Sequence, residues 1–225
     1  MKTVSRLLVL CLLASAPALH AAEKPAKPPV ATTAAEKEAI YTATLETRSN
    51  LIMDALKLEN SAKATRVKDR IIAQYRALNH WQESYEDRLK ELRKPKDADA
   101  AKTETADIYA KRRALRDAFL ADLAKDLTPD QIDTVKDKLT YNKLQVTYHG
   151  YLEMLPTLTE DQKAQIHTWL VEARDDAIDG VSSDEKSAIF NRYKGRINNY
   201  LSKQGYDLNR ASKEWKTRID AAGKK

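Results

Sequence analysis

An all-α fold, a bundle of about seven helices with one irregular Tyr/Asn-rich loop, is predicted by three features of the sequence. Between Ala31 and His149 there is no glycine, and Pro95 and Pro129 are the only prolines, so long stretches lack helix-interrupting residues. Apolar residues recur at steps of three and four along most of the chain. Capping residues stand at the ends of several of those stripes.

Lys2 and Arg6 flank the start of an apolar run, Leu7 to Leu13, and small residues follow through Ala22. Residues 1–22 are therefore expected to be a cleaved signal peptide, and the protein to be exported, periplasmic or secreted. The run is far short of the roughly 20 residues that span a bilayer, so no membrane span is expected after cleavage. The single cysteine, Cys11, leaves with the signal, and bulky Leu10 before it argues against a lipid anchor. Residues 23–37, rich in Ala, Pro and Lys, are expected to form a flexible tether, because they carry too little apolar surface to order themselves. A single helical domain is expected over 38–222, with lobes 38–94 and 103–222 as the alternative division.

The first stripe is Tyr41, Leu45, Ile52 and Leu56. The longest runs from Val67 through Ile71, Tyr75, Leu78, Trp81, Tyr85 and Leu89 to Leu92, about seven helical turns. The charged segment Arg93–Lys102 is expected as a loop, followed by Ile108, Leu115, Phe119 and Leu123 on a third helix. Thr128-Pro129-Asp130-Gln131 has a capping Thr, a Pro at the first helical position and a Gln three residues after the cap, opening the helix of Ile132, Val135 and Leu139. Thr140–Tyr151 is expected as the loop, and Leu144–Tyr148 within it alternates like a strand. Capping boxes at Thr159–Gln162 and Ser182–Glu185 open the helices of Ile166, Trp169, Ala173 and Ala177 and of Ile189, Tyr193, Ile197 and Leu201. Gly180 and Gly205 are expected as left-handed helix ends. Leu208, Ala211, Trp215 and Ile219 form the last stripe.

The formal net charge of +6, with signs heavily mixed, disfavours a nucleic-acid partner. No metal site and no cofactor are expected. The paired Glu-x-x-His motifs of a di-metal bundle are missing, and His80, Glu83 and Asp87 read as a solvated face. Asp175–Gly180 imitates the start of a calcium loop, but Ala177 at position three and Lys186 at position twelve spoil it. There is no Gly-x-Ser-x-Gly elbow and no phosphate-binding glycine loop. Two cooperating carboxylates remain open, since such pairs come from distant positions.

The unusual chemistry sits in two segments. Thr140–Tyr151 holds Tyr141, Asn142, Tyr148, His149 and Tyr151; the other holds Tyr193, Arg196, Asn198 and Asn199. Tyrosines have an apolar ring and a polar tip, and with Asn and Arg they can line a polar ligand pocket, for example for a sugar. The same residues can equally finish the edge of a core and satisfy the backbone of a loop.

Gln74-Tyr75-Arg76-Ala77-Leu78-Asn79, Thr140-Tyr141-Asn142, Tyr148–Tyr151, Met154-Leu155-Pro156, Leu158-Thr159-Glu160, Glu172-Ala173-Arg174, Lys194–Leu201 and Gly205–Leu208 together resemble domain-of-unknown-function family 3826. The resemblance spans about Tyr41 to Trp215. It implies an exported all-helical bacterial protein, often from organisms that degrade complex polysaccharides, and assigns no activity. Leu127-Thr128-Pro129-Asp130-Gln131 and Leu158-Thr159-Glu160-Asp161-Gln162 also look like the paired motifs of Spy/CpxP-type periplasmic chaperones. The expected function is a non-catalytic exported binding or accessory protein, in a polysaccharide-utilisation context, with carbohydrate as partner. The alternatives are a chaperone for unfolded protein and a carbohydrate-active enzyme with an unrecognised site.

Overall fold

Side chains that close the first turn set most of the helix boundaries. The computed structural model describes residues 33–95 and 97–222; the expected signal segment lies outside them, as does most of the tether. Among the described residues there are eight helices and no strand: α1 Ala34–Leu56, α2 Ser61–Glu91, α3 Ala98–Leu123, α4 Pro129–Leu139, α5 Lys143–Met154, α6 Glu160–Ala177, α7 Ser183–Lys203 and α8 Leu208–Ala222. None is long and apolar enough to cross a membrane.

α1 begins inside the segment expected as tether, because Thr33 and Glu36 form a reciprocal capping box. α3 begins inside the segment expected as loop, because the Asp97 carboxylate accepts from the Asp99 and Ala100 amides, both at 3.0 Å. α4 and α6 open on the expected boxes at Thr128 and Thr159. At α7 the Ser182 hydroxyl accepts from the Glu185 amide at 3.1 Å. The Glu185 carboxylate does not close the box; it accepts from the Val181 amide and from Arg112.

The irregular loop contracts to a tight turn. Tyr141 and Asn142 both adopt left-handed backbone angles, φ 59° and 54°, and α5 follows at once. The strand-like alternation of Leu144–Tyr148 gives way to helical packing, in which Leu144, Tyr148, Tyr151 and Leu155 meet the core at steps of four, three and four. Gly205 has the expected left-handed φ, 91°, whereas Gly180 does not. Gly180 is required for space instead: a Cβ there would stand 2.9 Å from Lys186 Cγ and 3.2 Å from the Ala177 carbonyl oxygen.

Two apolar clusters form. One gathers Ile52, Leu56, Val67, Ile71, Phe119, Leu123, Leu127, Val135 and Leu139 from α1–α4 and the turn before α4. The other gathers Leu144, Tyr151, Leu155, Leu158, Ile166, Leu170, Ala173, Ala177, Ile189, Phe190, Ile197 and Leu201 from α5–α7 and the turn before α6. α8 covers the second cluster with partly buried Leu208 and Ala211.

The two groups of helices meet at a polar seam. Among the described residues three cations are buried: Arg112, Arg174 and Lys186. Each reaches across that seam. Arg174 of α6 donates to Asp137 and Asp133 of α4 at 3.0 and 2.8 Å. Arg112 of α3 donates to Glu185 of α7 at 2.6 Å. Lys186 of α7 donates to the Leu139 carbonyl, at the end of α4, at 2.7 Å.

Candidate functional site

The nine residues singled out from sequence do not line one pocket. Tyr148 sits edge-on to His167, ring centroids 5.2 Å apart. His149 is exposed and pairs with Glu153 one turn along α5, 2.9 Å away. Tyr193 donates to Asp176 at 2.7 Å, and burial is the largest cause pushing its hydroxyl up to about 12. Asn142 caps α5 through its backbone alone. The two segments touch where the buried Tyr151 hydroxyl donates to Asn198 Oδ1 at 2.7 Å, a satisfied core contact. Arg196 and Asn199 line an open groove with Trp169 and Tyr200, and the Arg196 guanidinium lies 4.4 Å from the Trp169 ring centre and bonds Glu172. Tyr141 belongs elsewhere, on the wall of a cavity in the seam.

That seam cavity, ≈ 70 Å³, has a wall of mixed polar and apolar side chains. α1 contributes Tyr41 and Arg48; α2 contributes Gln74, Tyr75, Asn79 and Gln82. Leu139 and Tyr141 close one side, and Ile178, Gly180, Val181 and Lys186 the other. Side chains three or four apart share a helix face, so Tyr41, Leu45 and Arg48, and Gln74 and Tyr75 with Leu78, Asn79 and Gln82, reach the same space from two neighbouring helices.

Lys186 is the distinctive group. It is 4% exposed, and unlike Arg112 and Arg174 it has no carboxylate partner among the described residues. Its single hydrogen bond goes to the Leu139 carbonyl, and the Tyr141 ring centre lies 5.7 Å from its Nζ. An ammonium carries three donors, so most of its bonding capacity is unused by protein. Burial first, and then the nearby Arg48 cation, bring its amine down to about 8 from the ordinary 10.5. Gln74 is 8% exposed, and its amide bonds to none of the described residues. The Tyr75 hydroxyl, pushed up to about 12 by burial, stays neutral at physiological pH and able to donate. Arg48 forms no ion pair with the described residues.

The arrangement is one buried cation, a second cation at the mouth, neutral hydroxyls and amides, and no carboxylate in the wall. A wall with two cations and no carboxylate is complementary in charge to an anionic acceptor. A water's share of liquid volume is about 30 Å³, so the cavity suits the charged end of a ligand better than a whole sugar ring. Beyond Gln82 and Val181, which both spaces share, a wider groove of ≈ 370 Å³ continues past Trp81, Tyr109 and Arg112. Arg112 lies between those two rings, 4.8 and 4.9 Å from their centres. Among the described residues no group of three His, Cys, Asp or Glu side chains could hold a metal ion.

Gln74, Lys186 and Arg48 are absent from the sequence-based site. Gln74 lies in the resemblance segment Gln74–Asn79, which with Thr140–Asn142 supplies much of the wall. Lys186 gave no signal beyond spoiling a calcium loop, because its burial depends on Gly180 and on helices distant in sequence. The model of a family described as "Protein of unknown function (DUF3826)" matches residues 42–221. No curated protein matches the chain.

Proposed function

The chain belongs to the DUF3826 family, and from that premise we propose that it is an exported, non-catalytic binding or accessory protein whose ligand presents an anionic group to the seam cavity. One observation carries this reading: Lys186 is buried without a carboxylate partner among the described residues, and Gln74, which shares the cavity wall, has an amide that bonds to none of them. A carboxylate or phosphate oxygen would satisfy both and could be held by Arg48 at the mouth. The aromatic groove past Trp81 and Tyr109 would take the rest of the molecule, since rings with polar neighbours suit sugar faces. An acidic sugar, as expected in polysaccharide utilisation, has that combination of charge and ring. The chaperone alternative draws no comparable support: the exposed large apolar residues Ile40, Leu51, Tyr141, Val146 and Ile219 are spread over three helices and a turn.

Ligand that binds the folded state alone raises the melting temperature by mass action. A thermal-shift series with uronic acids, neutral sugars, dicarboxylates and phosphate should raise it for acidic compounds, and Lys186→Met and Gln74→Leu should each abolish the response. A flat profile for every anion at millimolar concentration would overturn the proposal.

A further inference from the structure

We propose that Lys186 captures the carbonyl carbon of a small oxo acid as a reversible imine, with the acid's carboxylate held by Arg48. This rests on the anion-binding reading of the same cavity and adds a reaction to it.

The geometry supplies what such an amine needs. Nζ sits between the Leu139 carbonyl, 2.7 Å away, and the Tyr141 ring, and both residues line the cavity. One hydrogen bond anchors the nitrogen, leaving its remaining positions available to a reactant. The stem is fixed in turn by Gly180, whose missing side chain is the space that Lys186 Cγ fills. Lysine amines become nucleophiles when desolvated or placed near another cation, and here burial and Arg48 act in the same direction. Asp179 and Glu185 act against this, but each has an interest elsewhere: both pair with Arg112, at 3.8 and 2.6 Å. The ammonium and the free amine are therefore both populated near pH 8, the first attracting the anion and the second attacking the carbonyl.

The chemistry balances without a redox partner. The neutral amine adds to the carbonyl carbon and forms the C–N bond. The nitrogen then loses its two protons as the carbonyl oxygen leaves as water, giving the C=N bond. Hydrolysis reverses each step. Tyr75 and Tyr141 of the wall carry hydroxyls that can donate to the departing oxygen, whereas the Tyr41 hydroxyl already donates to the Tyr75 carbonyl at 3.3 Å. An acid lacking an aldehyde or ketone would bind and not react.

The test uses the whole mature protein with glyoxylate and cyanoborohydride, which reduces an imine to a stable secondary amine. Peptide mass mapping then compares Lys186 with every other lysine between pH 6 and 10. A larger fraction of a depressed amine is neutral near pH 7, so Lys186 should be labelled about tenfold or more faster than surface lysines. Its labelling should level off above pH 8 while theirs continues to rise. Oxalate, which has the charge and no reactive carbonyl, should protect Lys186. Oxalate raising the melting temperature without preferential labelling of Lys186 would overturn the imine and leave anion binding intact. No shift with oxalate and no preferential labelling would overturn both.

Discussion

Lys186 gives up most of its hydration to lie beneath the cavity, and this links its burial to stability as well as to chemistry. Its folded value is about 8 against an ordinary 10.5. Below pH 8 both folded and unfolded chains hold the proton, and the folded chain bears the whole cost of burying it. Between those two values the unfolded chain keeps a proton that the folded chain has released, so stability climbs with pH across the window. Above it the cost is gone. The span corresponds to about 3 kcal/mol. Lys186→Met removes the titration but also leaves the Leu139 carbonyl without its donor, so its stability at any one pH mixes two effects. The slope does not mix them. From pH 7 to 11 the wild type should gain about 3 kcal/mol on Lys186→Met in urea unfolding, since Tyr75, Tyr151 and the other groups titrate in both proteins and cancel in the difference. A difference that stays constant over that range would show that the amine is hydrated in the folded state. From sequence alone this residue carries no mark, because Gly180 and Leu139 become its neighbours only after α4, α6 and α7 have packed.

At the scale of the element, the readable part of the fold is the part written locally. Thr128 and Thr159 close α4 and α6 through paired bonds with Gln131 and Gln162, residues three positions away. Nothing distant is needed to read such a device. Thr128→Ala and Thr159→Ala should each cost about 1 kcal/mol in denaturant unfolding, and the double variant about the sum, because the two caps share no partner. A cost near zero for both would mean that packing, not capping, holds those ends. α5 was the illegible element. Leu144-Gln145-Val146-Thr147-Tyr148 alternates, and Gly150 follows within the run, so the local pattern favours anything but a helix. The longer spacing Leu144, Tyr148, Tyr151, Leu155 is helical, and the tertiary cluster selects it over the short alternation. Once α5 is a helix, its side chains point in several directions, and the Tyr/Asn-rich segment can no longer act as one binding loop. The site proposed above rests instead on Gln74 and Lys186, read from sequence only as parts of helices.

At the scale of the whole molecule, the division between two apolar clusters falls at the turn after Leu139, not in the charged segment before α3. Sequence composition marks the charged segment, but Trp81 of α2 donates to the Ile108 carbonyl of α3 and ties the helices on either side of it together. What joins the two clusters is largely ionic, with Arg174 at its centre: 4% exposed, and bonded to Asp133, Asp137 and Asp175. Removing one member of a buried ion network leaves other charges unmatched; without Arg174, Asp137 loses its cation, while Lys136 still pairs with Asp133 and Asp175 at 3.6 and 3.2 Å. Asp133 and Asp175 are partly solvated, which lowers the cost below that of a sealed pair. Arg174→Met should therefore lose about 2–3 kcal/mol. The mode of unfolding tests the argument more sharply than the amount. Trp81 lies in the first group of helices, Trp169 and Trp215 in the second, so tryptophan-to-phenylalanine variants that keep one reporter follow each group separately. With Arg174 present the two reporters should give coincident urea transitions, the mark of one cooperative unit. With Arg174→Met they should separate. Coincident transitions in both backgrounds would show that the groups are coupled through Arg112–Glu185 and the apolar contacts, and that the Arg174 network is not what makes the seam, and the cavity within it, rigid.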